Sequence, residues 1–484
     1  MNRMGLSLAV LFLVNTAAAA TTEFCLDGEF DLAARLQGWT HRPGEWTPMR
    51  WCVTTDDATA RVLFSATGKS NPDIEGGWTV AFVPPDLVRI VNRESPPDVE
   101  FKGASASEEA LRYRRIDPRR LAAEARNSPD WTYLSESGAA ELPAAGSVAG
   151  ITVQLADDRV ERIETMADLP LRGRTRVSWK WRWLDPDTPV VAIDVGGQPL
   201  FRGRGAWREL SADESDAVWQ PTPAGKPVQA PAANWPSRIN MHRVKVGRQT
   251  WLVRGVRTGF QHLVVDTADG LVVADAPAGW VEIQQLPPAD LVPGKGISGL
   301  SEEFIDYLQA EFPERPIHAV VLTHAHDDHA GGARAFAAVG ARVYAPAEAT
   351  PFLATALNAD TMPPDSLSDA GRVSLFAVAD RAAVSDRVEV HAIGPGPHVS
   401  AALGVSVPDA GIFFVSDLHV PTSQLAIPRA ERVETECWFA AWAVQHLPPG
   451  TRVANSHSAP VTPVSRLARY LDDPDCLALA ATAD

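Results

Sequence analysis

The chain has 484 residues, with 44 lysines and arginines against 60 aspartates and glutamates, for a formal charge of -16. Its 45% hydrophobic and 21% charged content suits one or two well-filled cores, and two domains are expected; disorder and a multispan membrane protein are excluded. So acidic a surface repels phosphate backbones, so a small-molecule substrate is expected and a nucleic-acid partner is not.

Residues 1–20 read as an export signal: Arg3 gives the positive start, Leu6 to Val14 the apolar stretch and Ala17 to Ala20 the cleavage site. The apolar run is too short to span a bilayer stably, and no later segment is long enough and free enough of charge to try. A periplasmic or secreted protein follows. Its oxidising surroundings would permit bridges among Cys25, Cys52, Cys437 and Cys476. Three pairings are open, and nearness along the chain favours Cys25 with Cys52 and Cys437 with Cys476.

Residues 21–219 read as a β-rich α+β domain. Arg176 to Leu184, RVSWKWRWL, alternates Val177, Trp179, Trp181 and Trp183 against Ser178, Lys180 and Arg182, the pattern of a half-buried antiparallel strand. The tryptophans would floor a core against a helix in SEEALRYRRIDPRRLAAEARN, or line a concave cradle for an apolar ligand. The stretch from Ile151 to Asp185 resembles the curved sheet of outer-membrane lipoprotein carriers. A proline-rich linker, residues 220–238, separates this half from residues 239–484. Eleven of the twelve histidines follow the linker's start, while eleven of the fifteen tryptophans lie at or before Trp235.

The second half alternates strands and helices. QTWLVRG and HLVVDTADGLVVADAP read as a hairpin turning at Asp269-Gly270, SEEFIDYLQAEF as a helix capped by Ser301, and HAVVLTH as a buried strand. GGARAFAAVG is a helix closed by Gly340 and ARVYAP another strand. RVEVHAIG, ALGVSVPDAGIFFVSD and TRVANSHS continue the strands, with helices in RAERVETECWFAAWAVQHL and VTPVSRLARYL. This is a layered α/β domain.

Its chemistry gathers in THAHDDHAGG, residues 323–332. His324 and His326, two apart in extended chain, point the same way and can share an ion, while Asp328 and His329 aim from the next turn at a second. Asp327, between them, reads as a solvated or supporting carboxylate. Further ligands must come from other strand ends, where His398 in GPGPHVS, Asp417 in FFVSDLH and His457 in ANSHS stand. His391 rivals His398 but lies within a strand. His419 and His262 are candidates for lining a substrate pocket.

The H-x-H-x-D-H core followed by Gly-Gly, with His, Asp and His after it in order, resembles the metallo-β-lactamase superfamily over residues 240 to 470. The resemblance implies an αββα sandwich. It places His324, His326 and His398 on a first zinc ion and Asp328, His329 and His457 on a second, with Asp417 bridging both. The chain departs from common superfamily wording at ANSHS, where Gly-His-Gly is often seen, and at PHVSA, where His is often followed by Thr.

Two close zinc ions lower the pKa of a bridging water, which points to hydrolysis of an ester, lactone, amide or related bond, with Asp328 orienting the nucleophile or moving its proton. Imidazole with carboxylate also suits iron or manganese. A mononuclear iron oxygenase of the same fold is therefore the rival enzyme, and an apolar-ligand carrier built on the first half the rival of another class. Superfamily members working on two irons usually show Glu where this chain has His326. β-Lactamase activity ranks lower, because such enzymes do not normally carry Asp at the position of Asp417 or a large preceding domain.

Overall fold

The computed structural model describes residues 21–31, 46–57, 60–71, 74–83, 87–92, 99–102, 115–134, 138–143, 150–169, 171, 173–219, 228–229, 241–256, 260–278, 297–359, 365–367, 371–420, 433–457 and 461–482. The proposed export signal lies outside them.

The first half is one 14-stranded sheet, antiparallel except where Val228–Gln229 pairs parallel with Val99–Lys102. That short strand falls inside the stretch read as linker, so part of the linker is tied to the sheet's edge. Strand Thr22–Asp31, the first in the chain, lies between Trp46–Asp56, the second, and Gln198–Glu209, the last long strand of the half. Along Gly173–Asp185 the expected alternation holds: Val177, Trp179 and Trp181 are buried, Trp183 is half-buried, and Lys180 and Arg182 are exposed. Ser178, expected on the solvent face, is buried instead. Trp179 and Trp181 pack in one core with Leu121, Ala122 and Ala125 of helix Pro118–Asn127. Asp117 caps that helix, accepting from Arg119 N at 2.9 Å, and proline stands in its first turn, where no backbone donor is needed.

The second half holds two stacked sheets. The first runs in sequence order through His242–Gly247, Thr250–Arg254, Gln261–Thr267, Gly270–Ala274, Ile317–Val321, Arg342–Pro346 and Leu375–Val378, the last three joining in parallel. The second runs from Arg381–Ala383 through Glu389–Ala392, Leu403–Val407, Ile412–Phe414 and Arg452–Ala454 to Thr462–Pro463. Between the sheets lies a core of Val265, Val272, Val321, Val405, Phe414 and their neighbours. Helices Gly299–Glu311 and Ala333–Ala338 cover the outer face of the first sheet, and helix Val433–His446 covers that of the second. The layering is helix, sheet, sheet, helix.

Two local readings shift. Thr267 pairs with Gly270, so the hairpin turns at Ala268-Asp269, one residue earlier than read, with Gly270 at φ +130° just after it. Helix Gly299–Glu311 starts after Ser298, not Ser301; Ser301 lies inside it and donates through its hydroxyl to Pro277 O at 2.8 Å. Gly332 packs so close to this contact that a β-carbon there would stand 2.2 Å from Ser301 Oγ. Both favoured disulfides are present, Cys25–Cys52 between directly opposed strand residues and Cys437–Cys476 between helices Val433–His446 and Pro474–Thr482.

Candidate metal centre

Strands Glu389–Ala392, Ile412–Phe414 and Arg452–Ala454 run the same way, because two antiparallel steps through Leu403–Val407 restore direction and the third join is parallel. Their carboxyl ends therefore share one edge, and His398, Asp417 and His457 follow them there. In the first sheet Asp275 directly follows strand Gly270–Ala274, and His324 follows Ile317–Val321. His326 precedes the single helical turn Asp327–Ala330, which carries Asp328 and His329. Ligand sites in layered sheets belong at such strand ends.

The seven residues read from the sequence converge. Donor atoms of His324, His326, His398 and Asp417 lie within 4.8 Å of one another, as do those of His329, Asp417 and His457. Asp417 belongs to both groups. Its Oδ1 lies 2.9 Å from His457 Nε2 and 3.3 Å from His329 Nε2, and its Oδ2 lies 3.5 Å from His398 Nε2. Asp328 joins the second group, its Oδ2 3.5 Å from His329 Nε2. The side chains of Asp328 and His457 are 21% and 29% exposed while the others are nearly sealed, so the centre opens on the side of the second group. Phe260 walls that side, its ring 4.5 Å from that of His457.

Burial, with the neighbouring His329 adding to it, pushes the His324 imidazole down to about 3. Burial and then His324 hold His326 well below the usual histidine range. Both are therefore neutral at ordinary pH, the state in which a ring nitrogen offers a lone pair to a cation. Burial acts the same way on His329, but Asp417, Asp328 and Asp275 overcome it and hold that ring well above the usual range. Asp417 is held well below the carboxylate range by His329 and His457 against the opposing effect of burial. Buried imidazoles converging on the shared carboxylate of Asp417 form a donor set that fits divalent cations.

Sequence reading missed Asp275. It is fully buried, and its Oδ1 accepts from Thr323 N at 2.9 Å and Thr323 Oγ1 at 2.7 Å. Thr323 Oγ1 in turn lies 3.0 Å from His324 Nδ1, and Asp275 Oδ2 lies 2.9 Å from His329 Nδ1. With the hydroxyl proton given to Asp275, Thr323 accepts from His324, and the carboxylate accepts from His329. One acid thus turns Nε2 of a ring in each group toward the centre, through Thr323 for His324 and directly for His329. Asp275 and Ser416, joined by a 2.9 Å hydrogen bond, both adopt left-handed backbone, at φ +68° and +53°. Such strain on non-glycine residues gathers where function fixes the chain. The only sequence signal was an acid ending the apolar run LVVAD.

The two residues read as lining a substrate pocket are placed elsewhere, while His391 and Asp327 stand where they were read. His262 is fully enclosed within strand Gln261–Thr267, with Nδ1 3.2 Å from Ala274 O. His419 is also sealed, its Nδ1 2.7 Å from buried Glu436 Oε2. Neither presents surface to a substrate. His391 lies in its strand, 3.6 Å from Glu389 and apart from the centre. Asp327 Oδ1 accepts from Asp328 N at 3.0 Å and helps to shape the turn.

A cluster of histidines and carboxylates at the shared strand edge of an αββα sandwich defines the second half as a metallo-β-lactamase fold, and residues 296–477 match the family described as the Metallo-beta-lactamase superfamily. Solved structures similar to this chain include a metallo-beta-lactamase from Pontibacter korlensis, 20% identical over 48% of this chain and 98% of that one, with a TM-score of 0.34. The metallo-beta-lactamase FIM-1 from Pseudomonas aeruginosa, in its mono-zinc form, is 18% identical over 49% of this chain and 96% of its own, with a TM-score of 0.34. One from Hirschia baltica is 15% identical over 48% and 95%, with a TM-score of 0.33. No curated protein matches the chain.

Proposed function

We propose that residues 239–484 form a dinuclear zinc-dependent hydrolase that cleaves an ester, lactone, amide or related bond in a small molecule. His324, His326 and His398 would hold one ion, Asp328, His329 and His457 a second, and Asp417 both. The observation that carries this reading is the pair of donor groups meeting at Asp417. Zinc there supplies Lewis acidity and a water that loses its proton near neutral pH.

The chain's own residues do the rest. The rings of His324 and His326, kept neutral by burial, present lone pairs without first shedding protons. Asp275 fixes the orientation of the His324 and His329 rings. Asp328, the most exposed carboxylate of the centre, orients the attacking water and takes up its proton. The substrate enters past Asp328 and His457 and lies against Phe260. Three imidazoles without a thiolate in the first group favour zinc over softer-ligand metals.

Residues 21–219 form a separate unit in this reading, and 220–238 link the two. Two disulfides accord with an oxidising periplasmic or extracellular setting after removal of residues 1–20. No described helix is long and apolar enough to cross a membrane. Elemental analysis of the purified protein, followed by assay against a panel of esters, lactones, thioesters, phosphoesters and β-lactams, tests the proposal. Zinc near two per chain with turnover of one bond class supports it; stoichiometric iron with oxygen consumption replaces it by the oxygenase reading.

A further inference from the structure

The residue before His457 is Ser456, at a position where the superfamily wording often has glycine, so this chain carries a hydroxyl there. Ser456 is fully buried, and its Oγ donates to Asp417 Oδ1. Its backbone is fixed from two sides: its carbonyl accepts from Gln261 N at 2.6 Å and its amide donates to Ser416 O at 3.4 Å. Asn455 is held as well, its carbonyl accepting from Gln261 Nε2 at 2.9 Å while its Oδ1 accepts from His457 N at 3.1 Å. The hydroxyl is thus mounted on a tied-down loop and aimed at one carboxylate oxygen.

That oxygen faces His329 and His457, whereas Oδ2 faces His398. The terminal torsion of an aspartate is soft. Asp417 keeps one oxygen toward each donor group, and the buried Ser456 hydroxyl on Oδ1, the nearer of two because Ser416 Oγ lies 3.5 Å from the same oxygen, selects that orientation.

We propose that Ser456 is a positioning residue that commits Asp417 Oδ1 to the second donor group and so sets the affinity of the second ion separately from the first. The proposal rests on the two-ion reading above. It gives this serine a role that glycine at the same place cannot fill, since only the hydroxyl reaches the carboxylate.

The test is calorimetric titration of the metal-free full chain with Zn2+. The wild type is expected to bind in two resolved steps. In Ser456→Ala the weaker step should lose about 10- to 100-fold in affinity, with the tighter step unchanged. Ser456→Gly should repeat this selective loss, and Ser456→Thr, which keeps the hydroxyl, should restore both steps. Far-UV circular dichroism checks that each variant is folded; should Ala misfold, the Gly and Thr pair decides. Unchanged steps in the variants lacking the hydroxyl, or equal weakening of both steps, overturn the proposal while two-ion binding stands. A wild type that takes up one ion or none overturns the two-ion reading, and this assignment with it.

Discussion

Asp275 Oδ2 and His329 Nδ1 lie 2.9 Å apart, and neither residue has any surface in contact with solvent. The same carboxylate takes both donors of Thr323 and the hydroxyl of Ser416. Asp275→Ala takes the carboxylate acceptor from all of them in a place water does not reach, and leaves Thr323 N without the partner it has here. Breaking a buried charged network from one side costs about 3–5 kcal/mol, and urea unfolding of the metal-free protein should show a loss of that size. Zinc affinity should fall at both donor groups, because a ring of each loses its support; a loss confined to one group would count against the shared role.

His324→Ala and Asp328→Ala should each abolish metal-dependent turnover, for different reasons. The first removes a sealed ring at the meeting point of the imidazoles, so bound zinc per chain should drop. The second removes the exposed carboxylate, so Asp328→Asn, which keeps the shape, should lose rate far more than metal. An unaffected rate in either alanine variant removes that residue from the reaction.

Chelation should lower the thermal stability of the second half. Ions that bind only the folded chain stabilise it in proportion to the logarithm of their concentration over Kd, and tight zinc sites return on the order of 10 kcal/mol. Scanning calorimetry with and without chelator, while following the tryptophan-rich first half by fluorescence, should move the second-half transition and leave the other in place. Identical melting curves would leave no role for a bound ion in holding the 323–332 turn.

His262 gives a pH signature that needs no metal. Burial pushes its ring down to about 4, despite the opposing pull of Asp275. Its unfolded value lies near 6.5, so as pH falls below that the unfolded chain binds a proton that the folded chain refuses. The stability from burying the neutral ring is complete above about 6.5 and is lost as pH drops toward 4, by about 3 kcal/mol in all. In the metal-free protein the urea midpoint should fall less steeply between pH 7 and 4.5 for His262→Leu than for the wild type. Parallel slopes would contradict the burial argument.

What was legible in the sequence was what a repeating pattern or a dense cluster spells out. The alternation around Trp179 and Trp181 specified a strand and its inner face, and the ordered histidines and acids specified strand-end donors that fold to one place. Asp275 was not legible, because a lone acid after LVVA looks like any strand terminus until Thr323 and His329 are brought to it from about fifty residues away. Ser301 misled for a related reason. Its type suits a helix cap, but the capping site had moved to Ser298, and Pro277 claimed its hydroxyl through a contact no local pattern encodes. His262 and His419 were read as candidates for lining a substrate pocket, whereas the carbonyl of Ala274 and the carboxylate of Glu436 make buried places for their rings.

Strand Thr22–Asp31 emerges early in synthesis, yet one of its two neighbours, Gln198–Glu209, is made only after most of the first half. Until then its far edge offers unpaired backbone amides and carbonyls, an invitation to pair with the wrong chain. The closing of the sheet is thus a long-range event, slow by the measure of contact order, and the Cys25–Cys52 bridge to the strand already made tethers the waiting strand on its other side.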